Sequence, residues 1–206
     1  MSKFKSDLAQ EDILSRYLDT VYAKKKIEFK RITNLNEQLQ GIDLIMTVNQ
    51  KSYLIDEKAQ LHYINTDLPT FTFELSYLKN TIIKDGWLFD DSKHTHYYFL
   101  ITGIFLKKGK QKLLYSDDID KIKITSVNRA KLIRHLTSIN LSKEKLLHYD
   151  FDCRTNKTYG KNNISELNPK REGLIYFTEQ LDEEPINLQL RLSYLIKVGA
   201  AKRFHY

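Results

Sequence analysis

Two arms of alternating sequence, Gly41 to Val48 and Tyr53 to Gln60, constrain this chain more than any other stretch. In the first arm Ile42, Leu44, Met46 and Val48 alternate with Gly41, Asp43, Ile45 and Thr47, the period-2 pattern of a half-buried strand. In the second, Tyr53, Ile55, Ala59 and Leu61 share one face, and Leu54, Asp56, Lys58 and Gln60 share the other. Burying both apolar sets in one core puts Asp43 on the same face as Asp56 and Lys58. A two-residue turn at Asn49-Gln50 sets Asp43 opposite Asp56, and a turn at Gln50-Lys51 sets it opposite Lys58. Glu57 falls on the apolar face, which fits a sheet edge, a bulge or a different register.

Like charges placed opposite each other destabilise a sheet, so paired acids call for something that offsets the repulsion. A divalent cation does so. Magnesium takes one or two carboxylates together with waters and phosphate oxygens, and a neighbouring lysine can stabilise developing phosphate charge. The competing reading is a solvated polar face that carries no chemistry.

Asp43, twelve intervening residues, then Asp56-Glu57-Lys58 resembles the PD-(D/E)XK nuclease motif. Ile42 stands where the motif has its proline, a departure that many members of this divergent superfamily share. The longer run from Asp56-Glu57-Lys58-Ala59-Gln60 to Phe73-Glu74-Leu75-Ser76-Tyr77-Leu78-Lys79 is similar to uncharacterised bacterial members. The resemblance implies an α/β, restriction-endonuclease-like fold with a mixed central β-sheet flanked by helices. It implies Asp43, Asp56 and Lys58 as catalytic residues, with Mg2+ (Mn2+ as a substitute) held by Asp43, Asp56 and the Glu57 backbone carbonyl. A helix upstream often contributes a further acid in this superfamily, which makes Glu11 the candidate; its alternative role is a first-turn glutamate favourable to the helix dipole. Gln60 and Glu74 are near-site candidates, Gln60 by sharing the face of Asp56 and Lys58, and Glu74 by lying opposite Phe71, Phe73 and Leu75 on the next strand.

A length of 206 residues suits one domain, 1–206, with 141–206 as a candidate C-terminal elaboration. The hydrophobic fraction of 41% and the thirteen tyrosines and ten phenylalanines argue for a packed core rather than disorder. No apolar run reaches about 18 residues and the start lacks a secretory hydrophobic region, so the expectation is a cytoplasmic protein with no membrane partner. Cys153 is the only cysteine, which excludes an internal disulfide and a cysteine-based zinc site. A net charge of +7 favours a polyanionic partner through counterion release.

Along the chain, Asp7 to Ala23 reads as an amphipathic helix with Leu14, Leu18 and Val21 inward. Thr70 to Leu75 reads as a strand, and Tyr77 to Ile83 as a short helix. His94 and His96 precede a strand at Tyr97 to Leu106 that reads as buried on both faces and central to the sheet. Two histidines without a further partner are a weak zinc signal. Ile119 to Thr125 is another strand, and Ser126 or Asn128 caps a helix to Thr137 whose Arg129, Lys131 and Arg134 are the candidate phosphate contacts. The pattern weakens between Leu141 and Arg171. Leu174 to Thr178 is again a strand, and Ile186 to Tyr194 starts extended and passes into a short helix.

The expectation is therefore a metal-dependent nuclease that hydrolyses DNA, as a monomer or homodimer, in restriction, repair or mobile-element defence. The alternative is a nucleic-acid-binding protein that keeps the fold without turnover.

Overall fold

The hairpin consists of β2 (Leu44–Val48) and β3 (Lys51–Ala59), antiparallel with Leu44 opposite Ile55 and Val48 opposite Lys51. Its turn is Asn49-Gln50, with φ of 50° and 63°. Positive φ at both central residues is the type I′ conformation whose twist matches that of the flanking strands. Of the two turns open to the sequence, the structure takes the one at Asn49-Gln50, and the ladder runs from Val48 and Lys51 to Leu44 and Ile55, with Asp43 just beyond it donating its N–H to the Ile55 carbonyl.

The computed structural model describes residues 3–204, with side chains from Leu8 onward. The polar start at Met1 and Ser2 lies outside the described residues. The chain divides into two compact units, Met1–Leu68 with Thr95–Val127 and Lys202–Tyr206, and Pro69–His94 with Asn128–Ala201. The length leads to the expectation of a single domain, 1–206, with 141–206 as a C-terminal elaboration. The second compact unit draws on two separate segments, in which strands from the middle of the chain pair with strands from its last third.

The first unit holds α1 (Lys3–Lys24), β1 (Glu28–Arg31), α2 (Leu35–Leu39), the hairpin, β6 (Tyr97–Leu106), β7 (Ile119–Asn128) and β11 (Ala201–Phe204). Its six-stranded sheet runs β1-β2-β3-β6-β7-β11. The first three strands are antiparallel, and β6 joins parallel to β3 with Asp56 beside Tyr98, so the sheet is mixed and β6 is interior. Leu14, Leu18, Val21 and Tyr22 of α1 pack against Leu44, Met46, Ile55, Phe99 and Ile101, which fixes α1 on the face opposite Asp43, Asp56 and Lys58. Tyr22 packs edge-on against Phe29, Phe99 and Phe204, an arrangement that favours the aromatic quadrupoles as well as burying area.

The second unit holds β4 (Thr70–Lys79), β5 (Ile82–Asp85), α3 (Arg129–Ser138), α4 (Lys143–Asn156), β8 (Gly160–Asn162), β9 (Gly173–Phe177), β10 (Ile186–Arg191) and α5 (Leu192–Lys197), its sheet running β5-β4-β10-β9-β8. The helix expected at Tyr77 to Ile83 is instead the end of β4, a turn at Asn80-Thr81 (φ 50° and 66°), and β5. β-Branched Ile82 and Ile83 suit that strand better than a helix. Asn128 caps α3 by accepting from the Lys131 N–H. Among the described residues no helix is long and apolar enough to cross a membrane.

A candidate active site at the end of the acidic hairpin

The site begins with Gly41. At φ 72° it follows the C-terminal end of α2, the left-handed position where a Cβ is unfavourable. The buried Thr95 hydroxyl donates to the Gly41 carbonyl at 2.7 Å, which holds the entry into β2. Two residues later Asp43 is tied on three sides. Its N–H donates to the Ile55 carbonyl (2.9 Å), its carbonyl accepts from Ile32 (2.9 Å), and its Oδ2 accepts from the Glu57 N–H (2.8 Å).

Asp56 is 2% exposed, and Lys58 Nζ stands 2.8 Å from its Oδ1. The Lys58 side chain is 32% exposed, so its stem packs down while the ammonium remains within reach of solvent. Burial, and then the Asp56 charge, push the Asp43 carboxyl up to about 7, while the Glu57 N–H and Lys58 pull the other way.

Glu57 points through the sheet to the α1 face. Its carboxylate accepts from the Tyr22 hydroxyl (2.5 Å) and from Arg31 Nη1. Burial raises the proton affinity of Glu57, and Arg31 and Tyr22 oppose that rise. Residue N–H and C=O groups of an extended strand point to the same edge, so the Glu57 carbonyl shares the β2 side with its N–H and hence with Asp43.

The structure thus gathers Asp43, Asp56 and Lys58 on one face, with Gln60 just past the end of β3. Glu11 and Glu74 belong to other elements. Glu11 is exposed and opens the third turn of α1, so the first-turn dipole role does not apply to it. It is eleven positions from Tyr22, roughly 16 Å along the helix axis, on the element that covers the opposite face. Glu74 sits in β4 of the second sheet and shares no ladder with β3.

Lys131 and Arg134 are exposed on α3, whereas Arg129 is committed. Its guanidinium donates to the carbonyls of Lys93 (3.1 Å), Leu88 (3.2 Å) and Asp90 (3.1 Å), which makes it a clamp on that loop. His96 Nδ1 accepts from the Leu54 N–H (3.1 Å) and its own N–H donates to the Leu54 carbonyl (2.9 Å), a role in starting β6 beside β3.

The donor set can be tested against magnesium. Among the described residues no group of three or more His, Cys, Asp or Glu side chains is arranged to hold a metal. Magnesium needs only one or two carboxylates beside waters and substrate oxygens, and Asp43, Asp56 and the Glu57 carbonyl are hard oxygen donors of that kind. Thr95, Tyr22 and Arg31 escape a reading by motif. Their contacts join residues between 26 and 54 positions apart, for which the sequence carries no spacing signal. Compared with protein-family models, curated proteins and solved structures, the chain matches none.

Proposed function

We propose that this chain is a magnesium-dependent phosphodiesterase acting on DNA, with Asp43, Asp56 and Lys58 as its catalytic residues. The observation that carries the reading is the raised proton affinity of Asp43, half-buried beside Asp56 on a face where Lys58 is the adjacent cation. Two neighbouring carboxylates cost a structural face stability, whereas a divalent cation offsets their repulsion. Asp43, Asp56 and the Glu57 carbonyl would hold Mg2+ or Mn2+, and the bound ion would supply a Lewis acid and lower the pKa of a coordinated water. Lys58 offers its ammonium to charge developing on the scissile phosphate. Asp43 and Asp56 are fixed by the sheet, so no reorganisation is needed at the moment of reaction.

The restriction-endonuclease-like form of the mixed sheet belongs to this same proposal, supported by the hairpin register and by α1 across one face. The net charge of +7 supports a nucleic acid as substrate. A second reading, nucleic-acid binding without turnover, is favoured by one feature: Lys58 already neutralises Asp56.

The deciding experiment incubates the protein with supercoiled plasmid, single-stranded DNA and RNA in Mg2+, Mn2+ or chelator. Metal-dependent cleavage of DNA by the parent, lost in Asp56→Asn and Lys58→Ala, is the expected result. Binding without cleavage under every metal selects the second reading, and cleavage that persists in both variants rejects this site.

A further inference from the structure

A charged network lies on the far side of the sheet from the acids. Arg31, at the end of β1, donates through Nε (3.1 Å) and Nη2 to Asp19 Oδ1, through Nη2 to the Ser15 carbonyl (3.5 Å), and through Nη1 to Glu57 Oε2. The Glu57 side chain is 8% exposed and its other oxygen takes the Tyr22 hydroxyl. Its backbone N–H, meanwhile, holds Asp43 Oδ2. One residue thus joins two faces, with its side chain anchored to α1 and β1, its amide on Asp43, and its chain neighbours Asp56 and Lys58. A buried ion pair is a poor way to add stability, since apolar residues of similar volume commonly do as well or better. What a bidentate guanidinium provides is fixed geometry.

We propose that Arg31 is a positioning residue for the Asp43–Asp56–Lys58 site, acting through Glu57 to fix the segment that sets the spacing of the two acids. The proposal rests on the phosphodiesterase reading for its catalytic consequence and on the geometry alone for its structural one. Arg31→Lys keeps a positive charge but cannot span Asp19 and Glu57 with one planar fork.

The test measures hydrogen exchange at the Glu57 amide against the Ile55 and Phe99 amides of the same sheet, Mn2+ binding by calorimetry, and kcat and KM for plasmid cleavage. In Arg31→Lys, Glu57 exchange should rise about tenfold relative to the two reference amides, as expected for a local opening rather than global unfolding. Mn2+ affinity and kcat should fall about 10- to 100-fold with KM unchanged, the usual cost of losing an outer-shell partner. Equal acceleration at all three amides, or unchanged exchange and affinity in a folded variant, overturns the proposal. Should Arg31→Lys fail to fold, Glu57→Gln, which removes the charge that Arg31 Nη1 contacts and keeps an oxygen for the Tyr22 hydroxyl, gives the same exchange readout. Selective acceleration there supports the proposal, and parental exchange overturns it. If the parent neither binds Mn2+ nor cuts DNA, the functional reading fails on that result, and exchange at Glu57 still decides the role of Arg31.

Discussion

The Glu57 N–H donates to Asp43 Oδ2 at 2.8 Å, so the residue between Asp56 and Lys58 holds the other acid of the pair with its backbone while its side chain faces the opposite way. That bond is one of few favourable contacts for a carboxylate that burial and Asp56 make reluctant to ionise. The consequence is a pH-dependent stability of defined sign. Asp43 has a folded pKa near 7 against an ordinary 3.8, so the folded state binds the extra proton between those values. Its contribution is full below about 4 and is lost as pH rises through 7. Asp43→Asn keeps an oxygen for the Glu57 N–H and removes the titration. In chelator it should match the parent near pH 4 and be more stable at pH 8 by on the order of 2–4 kcal/mol. Urea unfolding at the two pH values measures this, and equal slopes with pH would show that Asp43 titrates normally.

Lys58 has a structural share beside the chemical one proposed for it. Removing it leaves Asp56, 2% exposed, without its 2.8 Å partner. Because the Lys58 ammonium is partly solvated, Lys58→Ala should cost about 1–3 kcal/mol in chelator, below the range for a fully buried pair. Asp56→Asn combined with Lys58→Met should recover most of that stability while remaining inactive. A double variant that cuts DNA places the chemistry elsewhere.

Arg129 separates from Lys131 and Arg134. Its three bonds to loop carbonyls predict that Arg129→Ala loses about 3 kcal/mol of stability, through the loss of three charge-assisted hydrogen bonds. Lys131→Ala and Arg134→Ala should leave stability nearly unchanged. If α3 is a DNA face, each should lower the salt dependence of binding by about one counterion. A salt slope equal to the parent in the Lys131→Ala, Arg134→Ala double variant excludes α3 from the DNA face.

The Asn49-Gln50 turn places a glutamine at φ 63°, where glycine is preferred. Gln50→Gly should stabilise the hairpin by up to about 1 kcal/mol, the left-handed strain outweighing the added chain entropy. A lower unfolding midpoint in this variant would mean that the turn is not type I′.

The acidic hairpin is legible because its information is local. Period-2 alternation sets the faces, so Asp43, Asp56 and Lys58 are assigned to one face without knowledge of what surrounds them, while the choice between two turn positions leaves the register open. Glu57 looks anomalous on an apolar face until Tyr22 and Arg31 are seen to satisfy it, and nothing in the order of residues announces those partners. Strand pairing at long range is equally silent. β4 alternates cleanly, yet its partner is β10, more than 100 positions on, which is why a second unit is hidden behind a chain that reads as one domain. The helix from Lys143 to Asn156 is missed for a different reason. Its inward stripe is Leu146, Asp150 and Cys153, and a carboxylate in the middle of the stripe erases the apolar period.

That carboxylate ties α4 to the sheet of its unit. Asp150 is 4% exposed and accepts from the Ser76 hydroxyl and from Arg154 Nε (3.1 Å), while Arg154 Nη2 donates to Ser76 Oγ (2.6 Å). The guanidinium lies 5.4 Å from the centre of the Phe177 ring, so α4 is bound to β4 and β9 by a three-membered polar group in an otherwise apolar setting. The three are joined in a ring of hydrogen bonds that leaves Arg154 Nη1 without a partner, and the cost of losing one member exceeds what the group contributes as a whole. Asp150→Ala leaves Arg154, whose side chain is 11% exposed, as a buried cation with a weakened set of acceptors, and should cost about 3–5 kcal/mol. Replacing all three with apolar residues, Ser76→Ala with Asp150→Leu and Arg154→Met, should cost far less than Asp150→Ala alone. Urea unfolding of the single, double and triple variants measures the coupling. Additive costs across the set would show that the three side chains act independently and that α4 is held by Leu146 and Cys153 alone.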